Sequence, residues 1–145
     1  MKILVSTFAF VSLVALTAAA MPQKPGVRYF PAADVSTAFS NGAVLLQQGN
    51  YMIHTSKRTA PGMGEVHEQD TDLIYVIEGS ATFVTGGELV DPKTVAPGEI
   101  RGAGGIAGGV SRVIEKGDVI VVPDHTPHWF KEVSGTVLYY TVKVR

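Results

Sequence analysis

The sequence contains no cysteine. That absence excludes disulfides, thiolate nucleophiles, thiolate-rich metal sites and an anchor through a lipidated cysteine. There is no excess of charge of either sign, with 12 Lys+Arg against 13 Asp+Glu. No basic patch with interleaved aromatics appears, which argues against nucleic acid as a partner. The most apolar run, Ile3 to Leu16, is short for a bilayer span, which needs about 20 residues. Beyond Phe39 no stretch carries a convincing helical pattern.

The N-terminus explains the apolar run. Met1-Lys2 is a positive start, Ile3 to Leu16 is apolar apart from hydroxyl residues, and Thr17-Ala18-Ala19-Ala20 offers small residues for cleavage. Residues 1–20 therefore read as a secretory signal peptide, so a secreted or periplasmic protein with no membrane association after cleavage is expected. Removing Lys2 takes the formal charge from −1 to −2. The mature chain, Met21 to Arg145, suffices for one domain with a core and is too short for two.

Residues 21–42 form a lead-in. Pro22 to Pro31 is extended, and Ala33 to Phe39 predicts a short helical turn stopped by Ser40-Asn41-Gly42. From residue 43 to 145 the pattern is short β-rich runs: Ala43–Gln47, Tyr51–Thr55, Glu65–His67, Leu73–Ile77, Ala81–Val84, Val110–Ile114, Val119–Val122, His128–Val133 and Val137–Val144. The punctuation between them includes Glu78-Gly79-Ser80, Gly86-Gly87, Lys116-Gly117-Asp118 and Ser134-Gly135. Regular short strands with such turns predict an all-β sandwich or barrel. Asp91 to Gly109 holds six glycines and two prolines and reads as an inserted, mobile Gly-rich loop.

All four histidines, His54, His67, His125 and His128, fall in the strand-rich region. On an extended chain Glu65 and His67 share a face, as do Asp72, Ile74 and Val76, and likewise His128, Phe130 and Glu132. If those faces point inward, Glu65, His67, Asp72 and His128 converge. Trp129 should then point outward, and His125 reads as an exposed turn residue beside Pro123 and Pro127.

GEVHEQDTDLIYVIEG, Gly64 to Gly79, resembles the first motif of the cupin superfamily, and GDVIVVPDHTPHWFKE, Gly117 to Glu132, resembles the second. Spacing back from Gly79 sets Asp72 at the family's glutamate, His67 at its second histidine and Glu65 at its first. A second alignment makes His67 the first ligand and Gln69 the second, but it spoils the interval to Asp72 and Gly79. In the later motif Gly117, Pro123 and His128 match, with His128 at the metal-ligand position, while His125 replaces the usual glycine and Glu132 the usual asparagine.

The resemblance implies a single-domain double-stranded β-helix, or jelly-roll, barrel binding a divalent metal through Glu65, His67, Asp72 and His128. Two histidines and two carboxylates favour Fe²⁺ or Mn²⁺ over softer ions, with Zn²⁺ still open. Two buried carboxylates without a cation would be costly and their pKa values would rise, which supports the metal. The family's dioxygenases, isomerases and decarboxylases imply a metal-dependent enzyme, oxidative by preference, acting on a small organic molecule. Glu65 is then a ligand or a catalytic general base. A noncatalytic module holding a small ligand or metal is the alternative. Pairing of barrels into a homodimer is a further expectation, with Val137 to Val142 as a contributing strand.

Overall fold

The structure is a computed structural model that describes residues 26–145. The expected signal peptide and the start of the lead-in lie outside the described residues. Helix α1 spans Ala32–Asn41, following Pro31 and ending at Gly42, whose φ of 63° takes the chain out of the helix. The strands are β1 (Ala43–Gln48), β2 (Tyr51–Arg58), β3 (Gly64–His67), β4 (Thr71–Thr85), β5 (Glu88–Leu89), β6 (Pro92–Ala96), β7 (Glu99–Gly102), β8 (Ile106–Ala107), β9 (Val110–Glu115), β10 (Val119–Val122) and β11 (His128–Val144). The fold is all-β, as expected for a double-stranded β-helix. Nine strands form one sheet with the path β1-β2-β11-β3-β7-β6, while β4 pairs with β11, β9 and β10; β5 and β8 form a separate ribbon.

Two expected turns are bends inside continuous strands. Glu78-Gly79-Ser80 lies within β4 and Ser134-Gly135 within β11, and these two long strands pair along most of their length. Their register shifts between Ser134 and Leu138 and again between Leu138 and Tyr139. Such irregularities bend a strand without ending it. Gly79 permits the bend twice over. Its φ is 81°, and a Cβ there would collide with the carbonyl oxygen of Thr136 on β11.

Alternation along β4 sorts the molecule into inside and outside. Asp72, Ile74 and Val76 are buried, while Leu73 and Tyr75 between them are exposed. The core gathers Ile74, Val76, Phe83, Ile114, Val122, Phe130, Val137 and Tyr139. Phe130 is its hinge, meeting Phe83 edge-on at 4.8 Å and stacking on Tyr139 at 4.8 Å. The inward face of one strand thus passes from apolar packing at Val76 to the charged Asp72.

Three expectations are corrected. Asp91 to Gly109 is not a loop: β6 and β7 form a hairpin within it, and β7 pairs with β3. The exposed β6 has no apolar alternation to announce it. Glu132 does not share the face of His128. A register shift between Phe130 and Glu132 turns its side chain to the surface, where Thr82 Oγ1 donates to Oε2 at 3.1 Å. Val137 to Val142 lies in a strand flanked by β2 and β4, so it presents no free edge. Trp129 is only half-buried, donating from Nε1 to Gly62 O at 2.7 Å and packing on Gly105.

The two bends differ in a testable way. Gly135 also has a positive φ, 71°, but a Cβ there meets nothing within 4 Å. Gly135→Ala should cost only the backbone strain of roughly 1–2 kcal/mol. Gly79→Ala adds a collision with backbone and should be distinctly more destabilising in urea unfolding. Equal losses at the two positions would overturn this account of the β4 bend.

Candidate metal centre

Register builds the site. On β3, Glu65 stands opposite Arg101 of β7 and His67 opposite Glu99. On its other side Glu65 stands opposite His128 at the start of β11. Asp72 of β4 stands opposite Lys143 near the end of β11. Directly opposed residues bring their Cβ atoms to about 5 Å, close enough for each pair to interact. All four residues expected from the sequence therefore meet, and three that it did not indicate, Glu99, Arg101 and Lys143, meet them.

Hydrogen bonding fixes which atoms face inward. His67 Nδ1 donates to Glu99 Oε2 at 2.8 Å, and His128 Nδ1 donates to the Thr126 carbonyl at 3.1 Å. Carboxylates and carbonyls only accept, so each Nδ1 carries a proton and each ring turns its Nε2 toward the carboxylates. His67 Nε2 lies 3.4 Å from Asp72 Oδ2. His128 Nε2 lies 3.6 Å from Glu65 Oε1 and 3.9 Å from Asp72 Oδ2. His128 Nε2 is buried without a hydrogen-bond partner. Burial pushes the His128 pKa down to about 4, against smaller opposing effects from the Thr126 hydrogen bond and the Asp72 charge.

The result is a cluster of imidazole nitrogens and carboxylate oxygens in which His128 Nε2 has no hydrogen-bond partner. Donor atoms of Glu65, His67 and His128 all lie within 4.8 Å of one another. Ligand bonds of about 2.0–2.2 Å separate the donors around one ion by about 3–4.4 Å, so a contraction of a few tenths of an ångström would bring the cluster to the dimensions of a cation site. Glu99 and the Thr126 carbonyl hold the imidazoles by their far nitrogens, as outer partners do in metal sites. Two imidazoles and one carboxylate form the donor set of non-haem iron sites.

The carboxylates are not bare. Arg101 Nη1 pairs with Glu65 Oε2, and Lys143 Nζ donates to Asp72 Oδ1 at 2.8 Å. Each carboxylate has one oxygen neutralised by a cation and the other turned toward the imidazoles. The expected upward pKa shift is accordingly absent at Asp72. Desolvation raises its pKa, but hydrogen bonds and charge from His67 and Lys143 outweigh it, leaving the carboxyl below its ordinary value. Burial of the carboxylates is therefore compensated within the protein, and the atom left without a partner is His128 Nε2.

The remaining histidines stand apart. His54 lines the same cavity, its Nδ1 3.0 Å from Ser56 Oγ, and its pKa is lowered by burial and then by Lys143. His125 is exposed, with φ 56°, and its backbone N–H donates to His67 O at 2.7 Å. The position usually held by glycine in the family is thus a left-handed one, which histidine tolerates better than branched residues. The cavity above the cluster has a volume of about 230 Å³ and includes Arg58, Tyr139 and Thr141 in its walls. A larger depression of about 800 Å³ lies between α1 and the outer sheet face, with none of the clustered donors in its lining.

The chain matches the Cupin family model over residues 30–144. No curated protein matches it. Among solved structures, it resembles an uncharacterized conserved protein with a double-stranded β-helix domain from Klebsiella pneumoniae, at 16% identity and a TM-score of 0.57, covering 82% of this chain and 90% of that one. A Bacillus halodurans protein aligns at 12% identity and a TM-score of 0.57, covering 82% and 83%. KdgF from Halomonas sp. aligns at 20% identity and a TM-score of 0.51, covering 71% and 77%. These likenesses concern the fold, and with the family match they establish that the chain belongs to the cupin family.

Proposed function

We propose that this cupin binds a divalent metal through Glu65, His67 and His128, with Asp72 beside them, and acts on a small organic molecule in the adjoining cavity. The observation that carries the proposal is the buried, unpartnered Nε2 of His128 facing Glu65 Oε1 and Asp72 Oδ2. Mixed imidazole and carboxylate donors favour Fe²⁺ or Mn²⁺, with Zn²⁺ the competitor. Such an ion supplies Lewis acidity and, for iron or manganese, redox capacity suited to dioxygenase-like chemistry, with isomerisation the non-oxidative counterpart. The protein orients the imidazoles, and Glu65 has one oxygen left to coordinate or to accept a proton, since Arg101 holds the other. The pairing of both carboxylates with Arg101 and Lys143 favours a second reading, a noncatalytic module that holds a small ligand without turnover. Export rests on residues 1–20, and any catalytic partner would then be met outside the cytoplasm.

Elemental analysis of protein purified without a metal-affinity tag should find about one divalent ion per chain. His67→Ala and His128→Ala should abolish it, and Glu99→Ala should weaken binding about 10–100-fold by releasing His67. Metal content unchanged by all three substitutions would sink the proposal. With metal present, oxygen consumption across diols, quinols and keto acids separates enzyme from module.

The metal-stripped protein should lose stability in acid. His128 has a folded pKa of about 4 against 6.5 when free. The unfolded chain therefore binds the extra proton first, and stability falls as pH drops from about 6.5 toward 4. The full loss is about 3 kcal/mol. His128→Gln should flatten that part of the profile in urea titrations at stepped pH. An unchanged slope would refute the assignment of His128 as a buried neutral imidazole.

We also propose a homodimer through the outer sheet face. Val119 and Val121 of β10 stand opposite Tyr75 and Leu73 of β4, and all four are exposed. A contiguous apolar row of this kind marks an interface. Sedimentation should show a dimer that Val121→Glu converts to a monomer; a monomeric wild type would dismiss the dimer.

A further inference from the structure

The cavity wall contains a cation that the metal centre does not use. Arg101 and Lys143 are committed to Glu65 and Asp72. Arg58 is different: among the described residues no carboxylate lies within ion-pair distance of it. Its guanidinium is half-buried, lies 4.7 Å from the Phe130 ring centroid, and donates from Nε to Tyr139 Oη at 3.4 Å. It is also close enough to contribute to lowering the Arg101 pKa, after the larger effect of burial.

This arrangement has the character of an anion receptor. With Nε occupied by Tyr139, the two terminal nitrogens of Arg58 have no acidic partner among the described residues. Nη1 lies close against Gly62, where only the absence of a Cβ leaves it room, and the planar guanidinium fork matches a carboxylate. Tyr139 Oη accepts from Arg58, so its own hydroxyl proton is free to donate. Phe130 holds the guanidinium from one side, and Tyr139 stacks on Phe130, so the fork is placed by the core itself.

Charge balance favours the same conclusion. Arg58, Arg101 and Lys143 against Glu65, Asp72 and Glu99 sum to zero with neutral imidazoles, and a divalent ion would add two positive charges. A cavity with that surplus, in partly desolvated surroundings, selects a negative ligand. At about 230 Å³ it falls below the range of drug-sized pockets, so the ligand is small.

We infer that the cavity takes a small organic carboxylate, its carboxylate held by Arg58 and Tyr139 and its reactive end directed to the Glu65–His67–His128 cluster. The inference rests on the proposed metal site for the positive surplus and for the direction of the reactive end, whereas the pairing of Arg58 and Tyr139 with the carboxylate stands without it. Arg58 is a binding residue and makes no claim on metal affinity.

The test uses pyruvate, succinate and benzoate, each against its neutral amide, titrated calorimetrically into the full protein as isolated and after chelator dialysis. At least one acid should bind, its amide should bind about 10–100-fold more weakly, and Arg58→Met should cost the acid a similar factor. Methionine keeps apolar cover over Phe130, and metal content and thermal midpoint should stay at wild-type values. Tyr139→Phe, which keeps the stacking, should give a smaller loss in the same direction. If Arg58→Met fails to fold, Arg58→Lys, which retains charge without the fork, should still weaken the acid more than its amide. No acid binding at roughly 10 mM, equal binding of acid and amide, or indifference to Arg58 overturns the inference. Failure of the metal reading is distinguishable. It would leave no metal in the isolated protein, while Arg58-dependent acid binding persisted after chelator dialysis.

Discussion

Glu65 faces Arg101 on one neighbouring strand and His128 on the other because β3 lies in a single register between β7 and β11. A slip of one residue would turn Glu65 and His67 to the opposite face and separate every pair at the site. What prevents the slip is partly the ion pair itself and partly the closeness of the backbones. Gly64, one residue before Glu65, is buried where a Cβ would press on Gly105 O and Leu89. Four residues of β3 thus tie the small β5–β8 ribbon, the β6–β7 hairpin and the long β11 into one chemical arrangement.

The electrostatics of that arrangement run against a simple expectation. Buried carboxylates ordinarily call for a compensating cation, and a metal is the usual answer in such a barrel. Here Arg101 and Lys143 already provide compensation, yet each reaches only one oxygen of its partner. The uncompensated feature is directional: two imidazole Nε2 atoms and two carboxylate oxygens face one another across 3.4–3.9 Å, and that of His128 has no hydrogen-bond partner. A proton on His67 would bridge one of these gaps. His128 is too deeply desolvated to take one near neutrality, and this is the physical basis of the proposal that a divalent ion serves the cluster.

Much of this was legible in the sequence, for identifiable reasons. Spacing within two motifs and strand alternation gathered Glu65, His67, Asp72 and His128, because period-two geometry carries short strands faithfully. The same reasoning failed at Glu132, since a bulge adds a residue that alternation cannot anticipate. It missed Glu99 and Arg101 because their strand is short, glycine-flanked and paired to an exposed neighbour, so no hydrophobic pattern marks it. Lys143 was hidden for another reason. It sits in an apolar terminal strand whose end reads as a solvated tail until its partner Asp72 is known.

The residues missed are those that set the chemistry apart from a generic barrel. Glu99 sets the tautomer of His67, and Arg101 and Lys143 use half of each carboxylate's capacity. A ligand set reduced in this way binds an ion with fewer protein oxygens than four whole side chains would offer. The cavity beside the cluster is lined by Arg58 and Tyr139, which have no acidic partner among the described residues. The cationic groups therefore divide into two roles. Arg101 and Lys143 temper the carboxylates, and Arg58 is the guanidinium to which the inferred ligand selectivity is assigned. Removing the charge of Arg101 or Lys143 would alter the carboxylates themselves, whereas removing that of Arg58 would leave both carboxylates with their partners.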